Sequence, residues 1–427
     1  MQKIISLHIN IYHLYRNVKF KGDDMRKYSV NSFVFESGER FCHVIDKISG
    51  EPLYYPNLYI TTQVRNRSKS INTMEAIGGN LALLYRFFSL RGIDIRERIA
   101  TLQFLDLNEI DDLADFASKN FKDKRTTFLH ERSVVKEPTK YFRLTVIINY
   151  LEWLCEVHTI GTKSKDNQKI MDSFIDKLKI KRPSNENGYK NQIHEKTLSR
   201  EQLDILFEIV RPGSELNPFA DEVQSRNRLI ILLLFSFGIR AGELLNLRIR
   251  DIDFSSGMIV IKRRPNDKFD PRVNQPLVKT CERMFSVGNT LMAELFNYIM
   301  QDRRHVNNSK GNDFLFITYK KGYSQGKPLS FSSYHKIINM ISETSPELAE
   351  LTGHKLRHTW NYEFSSLVDG MDETFSEEKE EQIRSYLMGW KTGSGTAQIY
   401  NRRHLVEEAH KTSLAMQNQL MEGYINE

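Results

Sequence analysis

The chain of 427 residues carries a formal net charge of +7, has a pI of about 9.0 and contains three cysteines. Its length allows two or three domains with a sizeable core, and its basic balance favours a polyanionic partner, most simply a nucleic acid. The cysteines are scattered and form no CxxC pair, which argues against a disulfide framework and a zinc site and fits a reducing cytoplasm.

No targeting or membrane-spanning segment is evident. The longest apolar run is far short of the ~20 residues that cross a bilayer. The N-terminus lacks a basic stretch ahead of an apolar one and is therefore a poor signal peptide. Met1 and Met25 both remain as start sites. We therefore expect a cytoplasmic protein without a membrane partner.

Residues 1–64 predict a small β-rich region. Tyr28–Phe35 and Phe41–Ile45 are rich in β-formers and flank a Ser-Gly-Glu turn. Leu58–Thr62 predicts a short third strand. A sheet of this size is marginal alone, so it must pack on the next domain or gain order from a ligand.

Residues 65–183 predict a bundle of four or five helices, because apolar side chains recur there at helical spacing. The connectors between these helices are basic. Lysines in loops often only keep the loop solvated, but their recurrence at several helix ends favours a surface that faces phosphates. The candidate DNA-binding residues on this surface are Arg65, Arg67, Lys69, Lys122, Lys124, Arg125, Lys163 and Lys165.

Residues 184–196 are polar and begin with Ser-Asn-Glu-Asn-Gly, which predicts a linker between domains. A new domain then opens at Thr197. Ser199 is a suitable helix cap, and Gln202 completes a capping box.

The stretch Phe237–Leu247 follows the most apolar run of the chain, which predicts a buried helix. Gly238 ends that helix, and a second helix is predicted to start near Arg240. Arg240 and Glu243 then share one face. A guanidinium held in this way offers a planar fork for a phosphate, although a surface salt bridge fits the same pattern.

A β-hairpin is predicted next. Its first strand is Met258–Lys262, its second covers Gln275–Val287, and Arg263–Arg272 forms a long charged loop between them. Further on, Phe314–Ile317 predicts a short apolar strand.

The segment around His354 carries a second cationic cluster. On a helix His354, Arg357 and His358 share a face, and an anion between them would relieve their mutual repulsion. A metal site of the HExxH type does not fit, because Lys355 follows the first histidine. Downstream, Trp390 follows a glycine, and Tyr400 follows a turn rich in Gly, Ser and Thr.

The order of these pieces resembles the tyrosine recombinase (phage integrase) family: an arginine on a buried helix turn, a lysine on a hairpin, His-x-x-Arg, Gly-Trp and then a tyrosine. Trp390 stands in the place of the family's second histidine, as in some members. Lys279 matches the hairpin lysine best, through Lys-Thr-x-x-Arg, and Lys262 and Lys268 remain alternatives. The implied catalytic residues are Arg240, Lys279, His354, Arg357, Trp390 and Tyr400, with Glu243 and His358 in support.

The resemblance implies a chemistry that needs neither a metal nor a cofactor. Tyr400 is the nucleophile that forms a 3′-phosphotyrosine, while Arg240 and Arg357 bind the nonbridging phosphate oxygens. Lys279 protonates the leaving 5′-oxygen, and His354 assists the tyrosine or the phosphate. Glu243 is expected to orient Arg240 or a histidine.

The expected fold is mainly α with small β-sheets (α+β). The resemblance implies a core-binding DNA-binding domain over residues 65–183 and a catalytic domain over residues 197–427 that ends in a tail helix. Residues 1–64 would be an accessory, arm-type DNA-binding region, on fold analogy alone.

The implied function is integration or excision of a mobile element by a homo-tetramer, monomeric in solution, on double-stranded recombination sites in the bacterial nucleoid. DNA-bending or directionality factors are the implied accessory partners. Two alternatives stay open: a type IB topoisomerase-like relaxase and an inactive DNA-binding regulator.

Overall fold

A computed structural model describes residues 27–67, 70–121, 133–158, 164–183, 197–369 and 376–391. The chain divides into two compact units, residues 1–188 and 189–427. The predicted linker, residues 184–196, lies outside the described part. Within the part of the chain that the structure describes, no helix combines the length and apolar character needed to cross a membrane.

The N-terminal unit contains two strands and six helices within its described residues. The strands pair antiparallel, from Tyr28 opposite Asp46 to Val34 opposite Arg40. The elements are β1 (Tyr28–Val34), β2 (Arg40–Asp46), α1 (Tyr54–Tyr59, extended by a π turn over Ile60–Val64 and a 3-10 turn over Arg65–Arg67), α2 (Ile71–Arg91), α3 (Ile95–Ala100), α4 (Leu107–Ser118), α5 (Glu137–His158) and α6 (Lys165–Ile180).

The β-hairpin of this unit shares one hydrophobic core with the helices. Cys42 and Val44 are fully buried in the cluster that also holds the inner faces of α2, α4 and α5. The Ser32 hydroxyl donates to the Glu75 carboxylate of α2 at 2.5 Å. The hairpin therefore packs on the helices that follow it, which is one of the two outcomes expected for a sheet of this size.

The prediction of a third strand at Leu58–Thr62 is wrong, because this segment is helical. Asn57 explains the change, since its amide group donates to the carbonyls of Val44 (2.9 Å) and Leu53 (2.6 Å) and accepts from the Val44 N–H (2.7 Å). A side chain thus occupies the edge of β2 where a third strand would pair. Tyr59 then packs edge-on against Tyr150 at 5.3 Å between ring centroids, so burial overrides the β-propensity of this run.

The C-terminal unit is also mainly helical. Three short strands among its described residues form one antiparallel sheet in the order β3-β4-β5. The predicted capping box is confirmed, since the Ser199 hydroxyl accepts from the Gln202 N–H at 3.2 Å. The elements are α7 (Arg200–Ile209), α8 (Asp221–Phe237), α9 (Ala241–Leu244), β3 (Ile252–Asp253), β4 (Met258–Ile261), β5 (Arg283–Ser286), α10 (Asn289–Asn297, extended over Tyr298–Asp302 and Arg303–His305), α11 (Phe331–Thr344), α12 (Gly353–Asp369) and α13 (Glu377–Met388), with 3-10 turns at Ile249–Asp251, Ser309–Gly311 and Pro346–Leu348.

Two predicted strands are shorter than expected. The second hairpin strand covers only β5, and the apolar run Phe314–Ile317 makes single bridges, from Phe314 to Arg248 and from Ile317 to Pro328. Residues 262–282 follow no regular ladder and are held by side chains instead. The Arg272 guanidinium, for example, donates to the carbonyls of Leu245 (3.1 Å) and Leu329 (2.7 Å).

The burial of two cysteines gives a simple test of this fold. Cys42 and Cys155 are fully buried, and burial raises the pKa of each thiol to about 12, whereas Cys281 is exposed. Since the thiolate is the reactive form, we expect one fast-reacting thiol at pH 8 with a coloured disulfide reagent, and three in denaturant. Cys281→Ser should abolish the fast phase. A fast phase of two or three thiols in the native protein would contradict the packing of the hairpin and α5.

Candidate active site

The turn between α8 and α9 fixes Arg240. Gly238 ends α8 with a φ of +56°, and a Cβ atom there would lie 2.9 Å from the side chains of Trp360 and Met388. Glycine is therefore required both by the left-handed conformation and by the close packing. Arg240 follows as the residue that caps α9, and its side chain is one-third exposed. A rigid, buried support thus presents a guanidinium at the surface.

Glu243 is buried behind this guanidinium. Its carboxylate accepts from the Arg240 N–H at 3.0 Å and from the Thr280 hydroxyl, and lies 3.9 Å from the Arg240 Nη1 atom. Its closest ionic partner is Arg283, at 2.9 Å. Burial alone would raise the pKa of the Glu243 carboxyl, but Arg283, Thr280 and the Arg240 N–H hold that pKa below its usual range.

The closest side-chain cation to Glu243 is thus Arg283, at 2.9 Å, and Arg240, which Glu243 is expected to orient, lies farther away at 3.9 Å. Arg283 was not among the predicted site residues. A signal was available in the sequence, since β5 alternates buried and exposed residues and Arg283 falls on the inner side with Phe285. A charge that faces inward requires a buried counter-charge.

The three candidate lysines are all exposed. Lys279 lies just before β5, between the buried residues Val278 and Thr280, rather than within the strand. Lys262 follows the last residue of β4. Lys268 lies in the charged loop, with its ammonium 5.0 Å from the ring of Phe269. Lys279 is the one whose neighbour, Thr280, bonds to Glu243.

Arg357 lies on α12 and is almost fully buried. Its guanidinium donates to the Gly238 carbonyl at 2.6 Å and to the Met388 carbonyl at 3.0 Å. It also lies 5.6 Å from the ring of Trp390, which is itself buried. Arg357 is therefore bound to the same turn that carries Arg240.

The two histidines share a face of α12, as their spacing predicts. The ring of His354 is exposed and lies 4.5 Å from the ring of His358 in an edge-to-face arrangement. In the described part of the chain, no group of three or more His, Cys, Asp and Glu side chains could hold a metal ion.

The end of α13 completes the site in the described region. Gly389 has a φ of +63°, and a Cβ atom there would lie 2.6 Å from the Arg283 Nη1 atom. The Gly389 carbonyl accepts from the Cys281 N–H at 2.9 Å. Trp390 is therefore held against the residues that follow Lys279. Tyr400 and the predicted tail helix lie outside the described residues.

Few of the predicted DNA-binding residues can be located. Arg65 makes a two-pronged ion pair with Glu39, at 2.6 and 2.7 Å, and stacks on Phe41. Arg67 and Lys165 are exposed. The others lie outside the described part of the chain; they are Lys69, Lys122, Lys124, Arg125 and Lys163.

Comparison with known proteins gives a consistent result. Residues 196–405 match the model of the phage integrase family. Transposase A from transposon Tn554 of Staphylococcus aureus is 26% identical over 319 residues, which are 72% of this chain and 78% of that protein. Tyrosine recombinase XerA of Pyrococcus furiosus is 27% identical over 222 residues, 51% of this chain and 62% of that protein.

A solved structure of the Tn1549 transposon integrase in complex with circular intermediate DNA was also found. It is 16% identical, has a TM-score of 0.44, and the match covers 81% of this chain and 94% of that chain.

The ion pair of Glu243 predicts a specific dependence of stability on pH. Because the folded pKa of Glu243 lies below its ordinary value of 4.5, its contribution is fully present above pH 4.5 and is lost as the pH falls through the folded value. At pH 7, Glu243→Gln should lower the free energy of unfolding by about 3–5 kcal/mol, because Arg283 is left as an uncompensated buried charge.

The measurement is urea unfolding of the full chain at a series of pH values. The difference between wild type and Glu243→Gln should shrink below pH 4.5. Glu350→Gln is the control, since the Glu350 side chain is 82% exposed and its variant should match wild type throughout. A difference that stays constant down to pH 3 would contradict the assignment.

Proposed function

We propose that the chain, of which residues 196–405 match the model of the phage integrase family, is a site-specific DNA recombinase that cleaves and rejoins DNA through a 3′-phosphotyrosine. The observation that carries the proposal is the association of Arg240 and Arg357. Arg240 follows the buried turn at Gly238, and the carbonyl of Gly238 accepts from the Arg357 guanidinium at 2.6 Å. Two guanidinium groups held on one rigid support suit the nonbridging oxygens of one phosphate.

The electrostatic side of the reaction follows from these two groups. A phosphodiester resists attack because its oxygens carry negative charge, which increases toward the attacking and leaving oxygens in the transition state. Arg240 and Arg357 stabilise that charge, as a metal ion does in other enzymes. Glu243 keeps a negative charge behind Arg240 and is not a proton donor, because its pKa lies below the usual range.

The covalent steps balance without an external energy source. The phenol oxygen of Tyr400 attacks phosphorus, and the bond from phosphorus to the 5′-oxygen breaks. Lys279 gives its proton to the leaving 5′-oxygen, and His354 assists loss of the phenol proton or bonds the phosphate. The phosphotyrosine conserves the bond energy, so rejoining requires neither ATP nor a divalent metal.

The partner is double-stranded DNA, and recombination of two duplexes requires four protomers. A mobile element is the expected substrate, in line with the transposon relative named above. We further propose that the enzyme acts on the bacterial nucleoid in the cytoplasm, with bending or directionality factors as accessory partners, and that the chain is a monomer before it binds DNA. The candidate DNA-binding residues of the N-terminal unit would hold the phosphate backbone.

Two other functions use overlapping features. A type IB topoisomerase-like enzyme would share the phosphotyrosine chemistry but act as a monomer at many sequences. An inactive DNA-binding regulator would keep the fold without cleavage. Supercoiled plasmid without a recombination site separates the first from a recombinase, because only the topoisomerase relaxes it. Formation of a covalent adduct separates both enzymes from the regulator.

The central experiment uses an end-labelled duplex that spans a boundary of the DNA element carrying the coding sequence, with a nick beside the cleavage position. In EDTA, wild type should form a covalent protein–DNA adduct on a denaturing gel. Tyr400→Phe should form none while its DNA binding is kept, because only the nucleophilic oxygen is removed. An adduct formed by Tyr400→Phe would show that another residue is the nucleophile.

Arg240→Lys is the matched test of the phosphate clamp. It keeps the charge but loses the bidentate fork, so cleavage should fall at least about 100-fold. Arg250→Lys is the control, since Arg250 is exposed and pairs only with Asp313 in the described region. If wild type forms no adduct at either boundary of the element, the regulator becomes the better reading.

A further inference from the structure

We propose that Arg283 is a positioning residue that fixes Lys279, the candidate general acid, relative to Arg240 and the end of α13. This inference rests on the proposed function and goes beyond it, because Arg283 would touch neither the DNA nor the reacting atoms. Its side chain is only 1% exposed. A residue so deeply buried can influence the reaction only through the groups that it holds.

The contacts of Arg283 reach three separate segments. Its Nη2 atom donates to the Glu243 carboxylate at 2.9 Å, which belongs to α9. Its Nη1 atom donates to the Thr280 hydroxyl at 3.1 Å, beside Lys279. Its Nε atom donates to the Leu387 carbonyl at 2.6 Å, at the end of α13. One planar group thus joins the segments of Arg240, Lys279 and Trp390.

The shared contacts make the arrangement specific. Thr280 donates its hydroxyl proton to Glu243 and accepts from Arg283, so both partners of the ion pair fix the residue that follows Lys279. The Cys281 N–H donates to the Gly389 carbonyl at 2.9 Å. The backbone on the C-terminal side of Lys279 is therefore fixed at two consecutive residues.

The chain before Lys279 is fixed as well. The Gln275 amide donates to the Arg264 carbonyl at 2.7 Å, and Arg264 is paired with the buried Asp251. Arg272 is paired with the buried Asp270 at 2.7 Å. Lys279 therefore has an exposed side chain on a backbone that is anchored on both sides. The backbone that carries this side chain is thus fixed before the substrate binds, which helps to orient a proton donor.

The test depends on the leaving group. A 5′-oxygen needs a proton as it leaves, whereas a sulfur in the same bridging position leaves as a thiolate, because thiols have a pKa of about 8.5. Loss of the general acid therefore slows cleavage of the oxygen substrate and spares the sulfur substrate. A residue that acts through Lys279 must show the same dependence, and a residue that only stabilises the fold must not.

The experiment measures single-turnover cleavage at saturating DNA, with matched boundary duplexes that carry oxygen or a 5′-bridging sulfur. The readout is the rate with sulfur divided by the rate with oxygen. For Lys279→Met this ratio should rise about 100-fold above wild type, in the range of general acid catalysis. For Arg283→Met it should rise at least about tenfold, because Lys279 is present but misplaced.

Two further variants guard against loss of the fold. Arg283→Met/Glu243→Gln removes both buried charges, and it should keep the raised ratio if the effect lies in the position of Lys279. Arg303→Met is the matched control. Arg303 is another buried arginine that binds backbone carbonyls, those of Phe314 (2.9 Å) and Asn312 (2.9 Å), and its variant should keep the wild-type ratio.

The outcomes separate the two levels of the argument. No cleavage of either substrate by wild type would refute the proposed function itself. Cleavage by wild type with an unchanged ratio in Arg283→Met would leave the recombinase intact and overturn the role of Arg283. A ratio unchanged in Lys279→Met would overturn it too, since the lysine that Arg283 holds would not be the acid.

Discussion

The ion pair of Glu243 and Arg283 is the interaction on which the arrangement of the C-terminal unit depends. Two charges buried in this way cost several kcal/mol of desolvation each, and they recover it only when every remaining donor and acceptor is bonded. Here the Thr280 hydroxyl, the Arg240 N–H and the Leu387 carbonyl supply those bonds. The pair therefore admits one arrangement of α9, the residues before β5 and the end of α13. The stability that this ion pair adds matters less than the fact that it excludes other arrangements of these three segments.

The end of α13 illustrates how the same principle extends outward. The last carbonyls of a helix have no partners within the helix, and the helix dipole makes this end negative. The Leu387 carbonyl accepts a hydrogen bond from Arg283, and the Met388 carbonyl accepts one from Arg357. Gly389 then turns the chain toward Trp390. Two guanidinium groups from distant parts of the sequence thus terminate this helix and fix the start of the segment that leads to the candidate nucleophile.

The sequence was informative where the signal is local. Helical spacing correctly put His354 and His358 on one face, and the β-formers around the Ser-Gly-Glu turn correctly predicted the N-terminal hairpin. It failed where distant residues decide. Leu58–Thr62 has the composition of a strand, but the Asn57 side chain occupies the edge of β2. The ring of Tyr59 is buried in the core that the helices form. The partner of Glu243 is Arg283, which lies 40 residues later in the chain, and no helix or strand periodicity relates positions so far apart.

The shared core of the N-terminal unit has a consequence for how the protein is made. The hairpin of β1 and β2 leaves the ribosome well before α2, the helix against which Cys42 and Val44 are buried. A two-stranded hairpin is marginally stable in water, so we expect it to lack stable structure until the chain has been extended through Arg91. The hairpin is therefore synthesised first but becomes stable only after the helices on which it packs have formed. A fragment that began at the helices would leave the surface of α2 uncovered and prone to association.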